Sequence, residues 1–325
     1  MARTELTAAF WDYDRTLPLI RGQIAVEGCD LRCLVLPPQE TFVRAFATAE
    51  FDVCELSLSR QAQAVARGDN AYEAMPVYLS RAFRHASIYM RGDRGIAVPQ
   101  ELRGRRIGLV NYDDTAAVVV RGLLGDVYGL QRSDITWVVG DLDRKRRETI
   151  SSPPLTADIP VEISRPGHTL DQQLVEGSID ALIGLVPPPS FGRDPRIVRL
   201  FPDWRAAEQA YFKRLRIFPI MHVVGIRRVL SEADPTLVPR IYDAFVAAKA
   251  MAMADVAMLQ ACKTSLPWLV AEYEATKALM GEDYWSYGVQ PNRVTLEATM
   301  RHLREDGLLL RDVSADELFP SFVDG

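Results

Sequence analysis

The sequence predicts an α/β protein with room for two domains and a helical C-terminal segment. Strand-like and helix-like segments alternate from the N-terminus through Met221, a rhythm that favours α/β over α+β architecture. From Asp234 onward the text reads as helix after helix, with breaks at Gly281 and Gly288. Size is the third observation: 325 residues, 48% hydrophobic and 25% charged, can bury two cores.

Each element follows in order. Residues 6–14 (LTAAFWDYD) form an apolar run ending in charge and residues 30–36 (DLRCLVL) alternate, so two strands flank a short helix over Leu17 to Val26. Pro18 near the start of that helix is tolerated, because first-turn N–H groups have no intrahelical partner. Pro37 and Pro38 stop the second strand, and Glu40 to Ala49 is a helix with Phe42, Val43 and Phe46 on one side. Phe51 to Ser57 is a third strand, followed by a helix over Ser59 to Arg67. Ser57 thus stands at the carboxyl end of a strand and before a helix N-terminus, where open α/β sheets bind ligands. A turn leads into the strand ending at Val110, and apolar spacing at Val118, Val119, Leu123 and Leu124 marks a helix to Tyr128 that Asp114 or Thr115 can N-cap. Such a terminus aims N–H groups at an anion, although a cap without a ligand reads the same. Ile135 to Val139 is a further strand. Gly140 to Gly167 reads as a long surface excursion suited to a lid or a subunit contact. Then come a helix over Leu170 to Glu176, strands over 179–184 and 197–201, a helix over Trp204 to Leu215, and the apolar strand Ile217 to Ile226. The tail holds helices over Leu237 to Met253, Val256 to Leu259, Trp268 to Met280 and Arg293 to Asp306.

Charge and motifs narrow the function. The 38 basic and 43 acidic residues leave a net charge of -5 without a Lys/Arg block, which argues against a nucleic-acid partner. No apolar leader or membrane span is read, so a cytoplasmic protein is expected. Cys29, Cys33, Cys54 and Cys262 contain no CxxC pair and read as buried or half-buried thiols. A Rossmann glycine fingerprint, P-loop, HExxH and GxSxG are all missing.

The richest stretch is Pro76 to Met90. Strand alternation over Arg81 to Tyr89 puts Arg81, Phe83, His85, Ser87 and Tyr89 on one face and Arg84 on the other, so one arginine is expected to bind and the other to be structural. A solvated edge strand would carry the same charges. His222, alone in an apolar strand, reads either as a core histidine or as a proton-transfer group.

Six blocks, DYDRTLPLIRGQIAVEGCDL, FDVCELSLS, PVYLSRAFRHASIY, GLVNYDDTAAVVVRGLL, FPIMHVVGIRR and WSYGVQPNR, together resemble the 4,5-dihydroxyphthalate decarboxylase family over Asp12 to Phe319. The resemblance implies a two-lobed fold like that of type II periplasmic binding proteins, with lobe 1 made of residues 1–100 and 217–325 and lobe 2 of residues 101–216. Both crossings would be hinges. It implies a cleft with Ser57, the Arg81 to His85 strand and His222 on the first lobe, facing Tyr112 and Thr115 of the second.

The reaction so implied removes CO2 from a hydroxylated aromatic carboxylate. It needs a proton for the ring carbon, a pull on a ring hydroxyl and cationic anchors. His85 or His222 is the general acid and the other its partner at the phenol; the apolar strand favours a neutral His222, and solvent or Glu55 a partly charged His85. Arg84 and Arg81 are the carboxylate clamps, with Arg15 and Arg121 in reserve. No cofactor is required, because the ring is its own electron sink; a divalent metal on His85, His222 and Glu55 stays open. A small aromatic carboxylate is the expected partner, with association into a homo-oligomer open. A protein that only captures a small anion fits the same fold.

Overall fold

The computed structural model describes residues 3–143 and 154–322. They form two compact units, one of Met1–Arg81, Ile220–Leu296 and Ser314–Gly325, the other of Ala82–Pro219 and Glu297–Val313. One boundary between the units lies at Arg81 and Ala82, and a second excursion, residues 297–313, belongs with the second unit.

The first unit opens with β1 (Thr4–Phe10), α1 (Leu17–Ile20), β2 (Cys29–Val35), α2 (Pro38–Thr48), β3 (Val53–Ser57), α3 (Leu58–Arg67) and β4 (Tyr72–Arg81). The second unit contributes β5 (Ile88–Arg91), β6 (Arg106–Leu109), α4 (Thr115–Tyr128), β7 (Thr136–Val139), β8 (Val161–Ile163), α5 (Leu170–Glu176), β9 (Ala181–Ile183), β10 (Ile197–Arg199) and α6 (Trp204–Leu215). The chain returns through β11 (Ile220–Arg227) to α7 (Arg228–Ala233), α8 (Leu237–Ala257), α9 (Leu269–Met280), α10 (Arg293–Glu305) and α11 (Ala315–Leu318).

The first sheet has the order β2-β1-β3-β11-β4, and β11 runs antiparallel to both β3 and β4. Every residue of β3 is buried, as a central strand demands. Gly225 on β11 lies so close to β3 that a Cβ there would meet Leu56 Cδ1 at 2.4 Å. β4 is an edge strand and carries Pro76 within a register irregularity opposite β11, the setting in which a sheet tolerates a residue without an N–H. The WSYG turn covers this edge: Trp285 Nε1 donates to Tyr78 O (2.9 Å), Gly288 N to Pro76 O (2.9 Å) and Tyr78 Oη to Gly288 O (3.0 Å). Gly288 takes φ 90°, which a residue with a Cβ adopts only under strain.

The second sheet runs β10-β5-β9-β6-β7-β8, parallel from β9 through β8 and antiparallel at β5. Tyr89, Val138, Leu170, Leu174, Ile179, Leu182 and Ile197 form a core on it. The residue 297–313 excursion is fixed to this unit by charge: the wholly buried Asp306 accepts from Arg121 Nη2 (2.6 Å) and Arg132 Nε (2.8 Å).

Several expectations are corrected. The helix from Leu17 is one turn, because Gly22 at φ 66° follows it. The tail helices expected over 237–253 and 256–259 merge into the unbroken α8, which no proline or glycine interrupts after its first turn. In the expected 140–167 excursion, residues 161–163 are the edge strand β8, and residues 144–153 lie outside the described residues. Cys262 is exposed, whereas Cys29 and Cys54 are buried. Among the described residues no helix is long and apolar enough to cross a membrane. The stretch around α9 buries little: α9 has no buried residue, and Met258, Leu266 and Trp268 are exposed, the last at 73%.

Candidate active site

The first unit builds a hydrogen-bonded cluster at the carboxyl end of β3. Cross-strand register sets His222 opposite Ser57 and Val224 opposite Glu55, so Glu55, Ser57 and His222 share one face of the sheet. Glu55 is wholly buried, yet each oxygen is engaged: Tyr13 Oη donates to Oε1 (2.8 Å) and Trp11 N to Oε2 (3.3 Å). His222 Nδ1 lies 2.6 Å from the same Oε1. With both carboxylate oxygens acting as acceptors, the imidazole is the donor in this contact, which puts a proton on Nδ1. Nε2 makes no hydrogen bond among the described residues, and the side chain keeps 18% exposure. Phe42 meets the ring edge-on at 4.8 Å between centroids and holds its plane. Burial, with the Glu55 carboxylate beside it, pushes the Tyr13 phenol well above its usual range. It stays a donor.

Arg15 walls this cluster without a loose end. Its guanidinium stacks 4.3 Å from both the Tyr13 and Trp285 ring centroids and donates to Leu79 O and Asp14 Oδ1.

The second unit assembles a different group. The strand expected over 81–89 ends at Arg81, and His85 to Ser87 form a 3-10 turn before β5, so the predicted alternation of Arg81, Phe83 and His85 on one face does not exist. The physical reason is aromatic: Phe83 packs against Phe218 at 4.9 Å and His85 edge-on against Phe201 (5.1 Å) and Tyr211 (5.3 Å). Consequently Arg84 and His85 belong to the second unit, not to the first, while Arg81 closes the first. Burial pushes His85 down from 6.5 to about 4, so it is neutral where a partly charged group was expected. Among the described residues its Nδ1 has no hydrogen-bond partner, and it stands 4.0 Å from Glu208 Oε1, beyond hydrogen-bond reach. Burial also lowers Arg84 from the ordinary guanidinium value, with Glu208 and Asp114 opposing it, and Arg84 Nε makes no hydrogen bond among the described residues.

Other predicted residues have structural partners. Arg81 Nη1 donates to Ser286 O (3.2 Å), tying β4 to the WSYG turn. Tyr112 is wholly buried, donates to Asp306 O (3.3 Å) and lies under the Arg121 guanidinium, 3.9 Å from ring centroid to Cζ, so it cannot reach a ligand without unpacking that knot. Thr115 is the buried first residue of α4 after the Asp114 N-cap. Ser57 is the buried residue between β3 and α3. Among the described residues no three His, Cys, Asp or Glu side chains are grouped so as to hold a metal ion; Glu55 is paired with His222, while His85 faces Glu208.

Sequence reasoning missed Tyr13 and Glu208, and joined Glu55 to His222 only as a fellow metal ligand, not as a hydrogen-bond partner. A lone carboxylate in the apolar text VCELS was the available signal, since an acid buried along a central strand must be hydrogen-bonded. Glu208 lies three and four residues before the buried Tyr211 and Phe212, on their helical stripe.

No family model matches the chain. A 4,5-dihydroxyphthalate decarboxylase of Comamonas testosteroni is 38% identical over 320 residues, which are 98% of this chain and 97% of that one. A protein of the same name from Pseudomonas putida is 39% identical over 216 residues, 66% of this chain and 84% of its own. Among solved structures, the periplasmic aliphatic sulphonate-binding protein of Escherichia coli superposes with a TM-score of 0.53 at 13% identity, covering 97% of this chain and 99% of that one. An alkanesulfonate-binding protein of Xanthomonas axonopodis pv. citri gives 0.51 at 14%, with 98% of each chain covered. The two binding proteins establish the fold, that of periplasmic binding proteins. The full-length likeness to the Comamonas enzyme establishes more: the chain belongs to the 4,5-dihydroxyphthalate decarboxylase family, a family of carboxy-lyases.

Proposed function

We propose that the chain is a cytoplasmic, cofactor-independent decarboxylase of a hydroxylated aromatic carboxylate such as 4,5-dihydroxyphthalate, held in a cleft between the two lobes and converted to protocatechuate. The observation that carries the chemistry is the His222 imidazole hydrogen-bonded to the buried Glu55. A proton must reach the ring carbon that bears the carboxylate while the bond to CO2 breaks. In 4,5-dihydroxyphthalate each carboxylate has a hydroxyl para to it. Loss of the proton from that oxygen pushes electron density onto the ipso carbon, which takes a proton; the C–C pair then returns to the ring as CO2 leaves, and the oxygen is reprotonated. Net uptake is one proton, and the ring itself holds the electrons.

His222 is the proton donor of this scheme, because the buried Glu55 carboxylate fixes the ring through Nδ1 and leaves Nε2 facing away from it, toward a substrate. Its role is thereby exchanged with that of His85, whose burial keeps it neutral and suits it to accept from the phenol. Ser57 beside His222, and Arg84 with the α4 N-terminus at Thr115, are the proposed anchors of the substrate's anionic and hydroxyl groups. Arg81, Tyr112 and Arg15 are left to the structural roles their partners give them.

A panel of hydroxylated benzoates and phthalates, followed by CO2 release and ring absorbance with and without chelator, tests the reading. Turnover of 4,5-dihydroxyphthalate unaffected by chelator is expected, and no CO2 from any member overturns it. We also propose association with a second copy through the α8–α9 stretch, supported by its exposed Met258, Leu266 and Trp268 among side chains of both signs, Lys263 and Asp255. Light scattering should show an oligomer that Trp268→Ser dissociates; a monomeric parent refutes this.

A further inference from the structure

We propose that Glu208 is the positioning residue of the second unit's candidate site: it locks the turn that presents Arg84 and His85, and it carries the single proton that the Glu208–His85 pair holds near neutral pH. The inference rests on the proposed decarboxylase reading for its kinetic consequences only.

Geometry supplies the first half. The Glu208 carboxyl accepts hydrogen bonds from the backbone N–H groups of both His85 and Ala86, the first two residues of the 3-10 turn. These donors have no partner inside so short a turn, so one side chain from α6 satisfies both and fixes the turn against that helix. The same carboxyl stands 4.0 Å from the His85 Nδ1 atom, which is buried without a hydrogen-bond partner among the described residues. His85 is itself clamped between Phe201 and Tyr211, so the imidazole cannot swing toward water to find another.

The second half follows from what surrounds the pair. Among the described residues Arg84 is the cation acting on Glu208; Asp114, at the N-cap of α4, draws on that cation as well. Tyr211, on α6 itself, is held neutral by burial and faces Asp126 of α4 and Arg301 of α10. In so apolar a wall the uncharged arrangement, carboxylic acid beside neutral imidazole, is favoured over carboxylate beside imidazolium. Burial accordingly raises Glu208 from 4.5 to about 7 and lowers His85 from 6.5 to about 4.

Opposed shifts leave a signature in stability that needs no substrate. A carboxyl raised in the folded state contributes stability below its unfolded value, which is lost as pH rises toward about 7. A lowered histidine contributes stability above its unfolded 6.5, which is lost as pH falls toward about 4. In the parent the two cancel between roughly pH 4.5 and 6.5, since folded and unfolded pairs each hold one proton there. Removing one partner should expose the other.

The experiment is thermal unfolding of the parent, Glu208→Gln and His85→Gln across pH 4.5 to 7, with steady-state kinetics of the parent, Glu208→Gln and Glu208→Ala. Relative to the parent, Glu208→Gln should gain stability as pH rises and His85→Gln should lose it. The amide oxygen of Gln still accepts the backbone N–H groups, so Glu208→Gln should keep KM near the parent's, whereas Glu208→Ala should raise KM by roughly ten- to a hundredfold as the turn loosens. Unfolding curves of Glu208→Gln that run parallel to the parent's at every pH overturn the proton assignment, and an unchanged KM in Glu208→Ala overturns the positioning role. If the parent decarboxylates nothing, the reading of its function fails, and the unfolding curves still decide where the proton sits.

Discussion

Glu55 spends its acceptor capacity on Tyr13, the Trp11 N–H and His222, and removing it would affect the imidazole in two ways. The ring would lose both the partner that orients Nδ1 and the negative charge beside it. His222→Ala should therefore lower kcat by about 10²- to 10⁴-fold while the circular dichroism spectrum stays native. Glu55→Gln should lower kcat by a smaller factor, about 10- to 100-fold, because an amide still accepts from the imidazole but carries no charge. A Glu55→Gln enzyme as fast as the parent would remove the dyad from the chemistry. These pairings show what the residues alone disclosed. His222 was legible as a candidate because a histidine is conspicuous in IMHVVG. Its partner was not, since the 167 residues between Glu55 and His222 are bridged only by the antiparallel register of β3 and β11, which no local pattern encodes.

At the scale of elements, the alternation that read 81–89 as one strand fails where Phe83 and His85 turn to pack on aromatic side chains of α6 and its flanks. Periodicity reports which residues avoid water, and a tight turn buried among rings satisfies the same statistics as a strand. The two arginines of this stretch should consequently part company. Arg84→Ala is expected to weaken substrate binding by roughly ten- to a hundredfold with little change in melting temperature, as loss of a charged hydrogen bond to a ligand carboxylate would. Arg81→Ala should instead lower stability by about 1–3 kcal/mol, because the Ser286 carbonyl loses the charged one of its two donors, keeping Asn292 Nδ2, and the cover on β4 loosens. Isothermal titration and chemical denaturation on both variants separate the cases. The same cover depends on Gly288 at φ 90°, and Gly288→Ala should cost about 1–2 kcal/mol although Cβ would meet nothing closer than 3.6 Å. The helical tail and the alternating strands were legible from composition and spacing; the fit of the WSYG turn along β4 was not, as nothing in those four residues names the strand that they cover.

Across the whole molecule, each unit is made from stretches far apart in the chain, and a wholly buried carboxylate helps to close the second. Arg121, Arg132 and Asp306 are buried together, so Asp306→Ala leaves the wholly buried Arg121 without its ion-pair partner, while Arg132 keeps only Glu305. A loss of about 3–5 kcal/mol is expected by denaturant unfolding, and a change below ~1 kcal/mol would show that the knot can be rehydrated. The knot also sets a schedule for biosynthesis. Arg121 and Arg132 leave the ribosome 185 and 174 residues ahead of Asp306, a delay of roughly 10 to 40 seconds at ordinary translation rates. Throughout that interval α4 and the turn that follows it carry cations that they cannot bury, and the nascent second unit must stay open to solvent or in the hands of a chaperone. A premature stop between Leu296 and Asp306 would therefore yield not a shortened enzyme but a chain that never completes its second core.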